Sequence, residues 1–178
     1  MAIIVQSAVH AQNIDALNRY GVIAEAIPNG TAVTCKGQSP DAKQKFVFEV
    51  EKAGANAEGA WIVYSPEVVM TAYGDLEFSG LDADVRHFVN KAGKPFDMFK
   101  PVPADLIQVD ASFFAEGEEP TVAKQYVELT ADGFKATATK PAAGLAFKVF
   151  AKEDFVIGNG VFAGGEAVDA WIIECLAN

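Results

Sequence analysis

Short apolar runs that alternate with polar positions dominate this chain. Lys45–Glu51 places Phe46, Phe48 and Val50 on one face of a strand, and Ala60–Tyr64 is an aromatic and β-branched run suited to a central strand. Gln125–Thr130 and Phe134–Thr139 flank Ala131-Asp132-Gly133, and Asp-Gly between two alternating runs predicts a β-hairpin. Further strands are predicted at Asp105–Asp110, Ala146–Phe150, Asp154–Ile157 and Ala170–Cys175, with Asn29-Gly30, Ala53-Gly54, Gly93, Pro141 and Gly144 as punctuation. That rhythm predicts a mainly β protein, an antiparallel β-barrel or sandwich with short helices.

Helical patterns are confined to Asn13–Arg19, Leu81–Asn90 (with Asp82 or Asp84 as caps) and Ala111–Phe114. Residues 1–20 read as an extended N-terminal arm that leaves the body or pairs along a sheet edge. Removing Met1–Asn13 is therefore expected to leave a folded body. Residues 21–178 read as a single β-rich domain with a Gly- and Pro-rich excursion at about 66–104, and loops of that length usually carry function.

The composition, 51% hydrophobic and 21% charged over 178 residues, is that of a globular chain long enough to bury a core. The net charge of −10 changes the picture more. The 14 basic residues are scattered, so no stripe exists to displace counterions from phosphates, and nucleic acid and anionic membrane are excluded as expected partners. The acidity suits a basic protein surface. No run approaches the roughly 18 apolar residues of a membrane-spanning helix. MAIIVQSAVHAQN lacks the charged n-region of a signal peptide, which points to synthesis and use in a reducing cytoplasm.

Candidate chemistry is sparse. Cys35 and Cys175 lie far apart in apolar segments and read as buried free thiols rather than a disulfide framework or zinc ligands. His10 and His87 have no second histidine at metal-ligand spacing, and His87 reads as a surface histidine near a carboxylate. No Gly-x-Ser-x-Gly elbow occurs. Asp82 and Asp84, with Asp75 and Glu77 upstream, fail the EF-hand pattern and read as caps and solvated acids. Glu116-Gly117-Glu118-Glu119 reads as a solvated loop. Gly158-Asn159-Gly160-Val161-Phe162-Ala163 matches a dinucleotide fingerprint, but Gly164-Gly165 breaks the helix that mechanism requires. No catalytic, cofactor-binding or metal-binding residue is expected, and the chain reads as a non-enzyme.

Residues 88–114, FVNKAGKPFDMFKPVPADLIQVDASFF, carry three prolines and five phenylalanines. Phe96, Met98 and Phe99 sit between Pro95 and Pro101, where proline opposes sheet pairing. Phe113 and Phe114 are adjacent, so on a strand one of them faces away from the core. These five form either a satellite core or a contact surface, and together with Ile3, Ile4 and Val5 of the arm they are the candidate interface residues. The acids Asp97, Asp105 and Asp110 have no basic, nucleophilic or metal-binding company nearby in sequence.

The tract Asn90-Lys91-Ala92-Gly93-Lys94-Pro95, followed by Ala104-Asp105-Leu106-Ile107-Gln108-Val109, resembles small structural proteins of tailed bacteriophages. In these an Asn-x-Ala-Gly-Lys-Pro turn leads to a Gly-Asp-Ile-Phe-x-Val strand, and Ala104 stands where glycine is usual. Tyr20-Gly21-Val22-Ile23, Tyr64-Ser65-Pro66-Glu67-Val68 and Tyr126–Leu129 with Phe134 are similar to the same family. The resemblance implies a virion protein, a head decoration (cement) or auxiliary capsid protein on the capsid surface. Such proteins bind the major capsid protein and themselves, often as trimers, without a cofactor. A second expectation is a β-rich glycan-binding module using Trp61, Tyr64 or Phe96–Phe99 as a stacking platform. A phage tail or connector component is a third.

Overall fold

The computed structural model describes residues 2–40, 46–66, 70–73, 76–79, 88–157 and 165–178. Its strands, in chain order, are β1 (Ile4–Ala8), β2 (Asn18–Val22), β3 (Ala32–Gln38), β4 (Val47–Lys52), β5 (Trp61–Val63), β6 (Met70–Tyr73), β7 (Leu76–Ser79), β8 (Phe96–Phe99), β9 (Leu106–Asp110), β10 (Tyr126–Thr130), β11 (Gly133–Thr137), β12 (Ala146–Lys152), β13 (Phe155–Ile157), β14 (Glu166–Val168) and β15 (Ala170–Ala177). The helical pieces among the described residues are single 3-10 turns at His10–Gln12, Asp15–Leu17 and Ala111–Phe113. The protein is mainly β and antiparallel, as the alternation predicts. It is neither a single barrel nor a single sandwich: a six-stranded sheet, ordered β1-β9-β15-β12-β10-β11, accompanies a small closed barrel, β2-β4-β3-β5-β8. The barrel closes through one parallel pair, β2 with β4, running from Tyr20 opposite Val47 to Val22 opposite Glu49.

Strand alternation divides the apolar side chains between two compartments. Along β5, Trp61 and Val63 join Val33, Val50, Phe96 and Met98 in one cluster, while Ile62 joins the main core. The first cluster is the barrel interior, and its close packing leaves no room for a side chain at Gly21, where an added Cβ would sit 2.7 Å from the Phe96 ring. Arg19 stacks on the edge of that cluster, 4.5 Å from the Phe48 ring centroid and 4.7 Å from that of Trp61. The main core joins the barrel wall (Ala32, Ile62, Phe99) to the sheet face formed by Ile107, Val109, Val127, Phe134, Phe147 and Ile173.

Several sequence expectations change. The first twenty residues are no free arm: β1 takes the edge-pairing alternative, running antiparallel to β9 from Ile4 opposite Val109 to Ala8 opposite Leu106, and β2 is a barrel strand. Because Ile3 and Ile4 are buried, deleting Met1–Asn13 strips an edge from the core instead of sparing the body. The excursion ends early, since β8 pairs with both β2 and β5 despite its flanking prolines. Pro95 and Pro101 lie outside the paired residues, so no ladder donor is lost.

Asn13–Arg19 forms a 3-10 turn and the start of β2, while Ala111–Phe114 is close to its expected helical turn. In β4 the buried residues are Val47 and Val50, whereas Phe46, at φ 65°, is 77% exposed. A register shift between Cys35 and Gly37 of the partner strand breaks strict alternation there. The Asp-Gly hairpin forms as β10–β11. Thr130 pairs with Gly133 across Ala131-Asp132, and the Thr130 hydroxyl donates to the Gly133 carbonyl at 2.7 Å. In β12 a shift between Val149 and Ala151 turns Phe150 out to solvent. Of the helix expected over Leu81–Asn90, residues 81–87 lie outside the described residues, and 88–90 are not helical, Asn90 forming an antiparallel bridge with Ile27. The acids Asp75, Asp82 and Asp84, His87, and the glycine-rich segment 158–164 also lie outside the described residues.

Candidate functional site

Of the eight expected interface residues, seven are interior. Phe96 and Met98 fill the barrel, and Phe99 packs between barrel and sheet against Tyr64. Phe113 stacks on Phe134 with ring centroids 4.3 Å apart, and Phe114 meets Trp171 edge-on at 5.6 Å. The 3-10 turn at Ala111–Phe113 lets adjacent phenylalanines both point inward, which a strand cannot do. Ile3 and Ile4 are buried as well, and of the eight only Val5 is exposed. The glycan platform contracts for the same reason: Trp61, Phe96 and Phe99 are buried, leaving Tyr64 half-buried at the surface.

The acids of the same stretch acquire company that sequence distance hid. Asp105 is fully buried. One carboxyl oxygen accepts from the His10 backbone N–H at 2.9 Å and from His10 Nδ1 at 2.6 Å, and the other from the Val102 N–H at 2.9 Å. Asp110, also buried, accepts from the Ile3 N–H at 2.9 Å and the Ser112 hydroxyl at 2.8 Å. The two carboxyls bracket β9 and hold both ends of the β1 segment, at Ile3 and at His10. Burial satisfied by donors on this scale locks geometry. Asn29, Ser65 and Asn90 make a second buried network. Asn29 Nδ2 donates to the Ser65 carbonyl, its Oδ1 accepts from the Ser65 N–H, and Asn90 Nδ2 donates to both Asn29 Oδ1 and the Ile27 carbonyl.

The thiols point away from nucleophilic chemistry. Burial, reinforced by the Asp105 charge, pushes the Cys175 thiol up to about 12, the opposite of the lowered value a reactive thiolate needs. Burial also raises Cys35, which the neighbouring Arg19 only partly offsets. Both cysteines are free. Glu118, expected in a solvated loop, instead bonds Lys124 at 3.1 Å and lies 3.3 Å from Lys135, and these two ammonium groups lower its carboxyl. No group of three or more histidines, cysteines or carboxylates is placed to hold a metal ion among the described residues.

An open feature lies where the barrel wall meets edge strand β1. A groove of about 490 Å³ is lined by Gln6, Asp15, Asn18, Tyr20, Tyr64 and Asp97, with Phe99 and Met98 among its apolar residues. Tyr20 and Asp97 are directly opposite each other across β2–β8, so their side chains share one face of the ladder. Tyr20 is 51% exposed. The Asp97 carboxyl has no hydrogen-bond or ion-pair partner among the described residues, and burial raises it above the usual aspartate value. The volume falls within the range of small-ligand pockets. Sequence reasoning missed Tyr20, Asp15 and Gln6 here, because the groove assembles from three segments distant in the chain. The available signals were Asp97, an acid within an apolar strand, and the grouping of Tyr64 with Phe96–Phe99 as a stacking platform, of which Tyr64, Met98 and Phe99 line the groove. No family model, curated protein or solved structure matches this chain.

Proposed function

We propose that the chain is a structural virion protein, a capsid decoration (cement) protein that binds and stabilises the head of a tailed bacteriophage through contacts with the major capsid protein and with further copies of itself. The observation that carries this reading is the use made of the buried polar groups. Asp105 with His10, Asp110 with Ser112 and the Asn29–Ser65–Asn90 network are spent on fastening the β1 segment and the barrel in place. A body braced in this way loses little entropy on docking, which favours a binding role over a catalytic one. The resemblance of the 90–109 tract to phage structural proteins supplies the partner class, and the charge of −10 suits a basic protein surface.

The test is cosedimentation of the purified chain with phage heads lacking their decoration protein, combined with light scattering for its mass. Saturable binding and a raised head melting temperature are expected, with a trimer mass favouring placement at capsid three-fold positions. Binding to tails or connectors in place of heads would move the chain to another part of the virion. Absence of binding to any phage particle would overturn the proposal.

A further inference from the structure

We propose that the groove between the barrel wall and β1 is a receptor for a basic side chain, arginine or lysine, presented by a protein partner, with Asp97 as the counter-charge and Tyr20 and Tyr64 as the aromatic walls. Three independent observations converge on a cation. The Asp97 carboxyl lines the groove without any hydrogen-bond or ion-pair partner among the described residues, although Asp105 and Asp110, one strand later, are saturated with donors. A second carboxylate, Asp15, stands on the same lining and makes no ion pair among the described residues. Two tyrosine rings border the same space, and an aromatic face beside a carboxylate is the usual environment for an ammonium or guanidinium group.

Arg19, the one cation on the lining among the described residues, is engaged elsewhere. Its guanidinium stacks on Phe48 and Trp61. The groove is thus an acidic site on an acidic chain, and the surrounding field concentrates cations at its mouth.

A side chain carried by an extended protein segment fits better than a free amine. The space is several times larger than an ammonium group, and it continues onto the outer edge of β1 at Gln6. β1 ends the sheet, so its outward backbone groups offer pairing positions to a partner strand, with the Gln6 carbonyl already accepting from Gln12 Nε2 at 3.0 Å. This inference deepens the partner-binding reading and rests on it only for the partner's identity.

The experiment titrates the isotope-labelled full chain with acetyl-arginine amide and, separately, with its uncharged isostere acetyl-citrulline amide, following amide NMR shifts. The arginine probe is expected to move the Tyr20, Asn18 and Asp97 amides. Citrulline should leave them in place, and Asp97→Asn should weaken arginine binding about tenfold or more. Tyr20→Ala should weaken it severalfold. Asp97→Asn alters a carboxyl with no partner among the described residues, and its spectrum and melting temperature report directly whether the fold is intact. Equal shifts with citrulline, shifts located away from the groove, or unchanged arginine affinity in a folded Asp97→Asn protein would each overturn the inference. Head cosedimentation of the same variant separates the two proposals. Lost arginine binding with retained head binding leaves the cement role standing and removes the groove from it. Arginine binding by a chain that ignores phage particles keeps the groove and discards the cement role.

Discussion

β8 and β9 are neighbours in sequence, both follow a proline-containing turn, and both carry acids among apolar residues, yet the fold treats them in opposite ways. β9 lies inside the six-stranded sheet, and its flanking carboxyls, Asp105 and Asp110, are buried and satisfied by backbone and side-chain donors from the β1 segment, Val102 and Ser112. β8 is a barrel strand whose three apolar side chains are buried on both faces, while its acid, Asp97, lines a groove and has no carboxyl partner among the described residues. A buried carboxyl with three donors is a clasp; a half-buried one with none is a binding position. The difference shows that an acid's role follows from where its donors come from, and here those that tie β9 to the β1 segment come from residues about a hundred positions away.

The comparison can be broken first at β8. Phe99→Ser removes a side chain that joins both units and places a hydroxyl among apolar groups, a loss of about 4 kcal/mol or more. Urea unfolding should find little or no folded protein, and near-normal stability would return Phe99 to the list of surface contacts.

At β9, Asp105→Ala leaves three donors without an acceptor and should cost about 3 kcal/mol. Hydrogen exchange should rise first in β1, because its clasp at His10 is gone. Exchange rising uniformly across the sheet would show that the pairing does not hold this edge.

The turn into β9 permits a subtler change. Val102-Pro103-Ala104-Asp105 has proline at the second position and Ala104 at φ 76°, with the Asp105 N–H bonding the Val102 carbonyl at 3.0 Å; this is the pattern of a type II turn that favours glycine third. Ala104→Gly relieves a left-handed alanine, worth roughly 1–2 kcal/mol, against about 0.5–1 kcal/mol of glycine entropy. A small rise in melting temperature is expected, and a fall would mean that the alanine methyl contributes packing.

The smallest effect is at Asp97. Its folded-state value is raised by burial, so the folded chain holds that proton more tightly than the unfolded chain, and ionisation works against folding. The penalty is complete above the folded value and vanishes below the ordinary aspartate value. Asp97→Asn should therefore be slightly more stable than the parent at neutral pH and indistinguishable from it in strong acid. A variant less stable at neutral pH would reveal a structural partner for this carboxyl.

Much of the local structure was legible from residue pattern. Trp61–Val63 as a buried strand, the Tyr126–Thr137 hairpin and the long apolar β15 follow from β-branched and aromatic alternation and from turn chemistry, which act over a few residues. The left-handed turn at Ala104 was not read from the sequence, because alanine gives no local signal for a positive φ. The groove was nearly illegible. Tyr20, Asp97 and Gln6 meet only because β2 pairs with β8 while β1 crosses to β9.

Sequence alone determined the fold class, the strand content, the acidity and the scarcity of histidine and cysteine, since these depend on composition and on periods of two. Tertiary structure decided that Phe96, Phe99, Phe113 and Phe114 are buried in the core, that the N-terminal segment is a clasped edge strand, and that, of Asp97, Asp105 and Asp110, Asp97 alone has a carboxyl without a partner among the described residues. Burial and hydrogen-bond satisfaction are properties of pairings between distant segments, and a two-residue alternation carries no record of which strands those are.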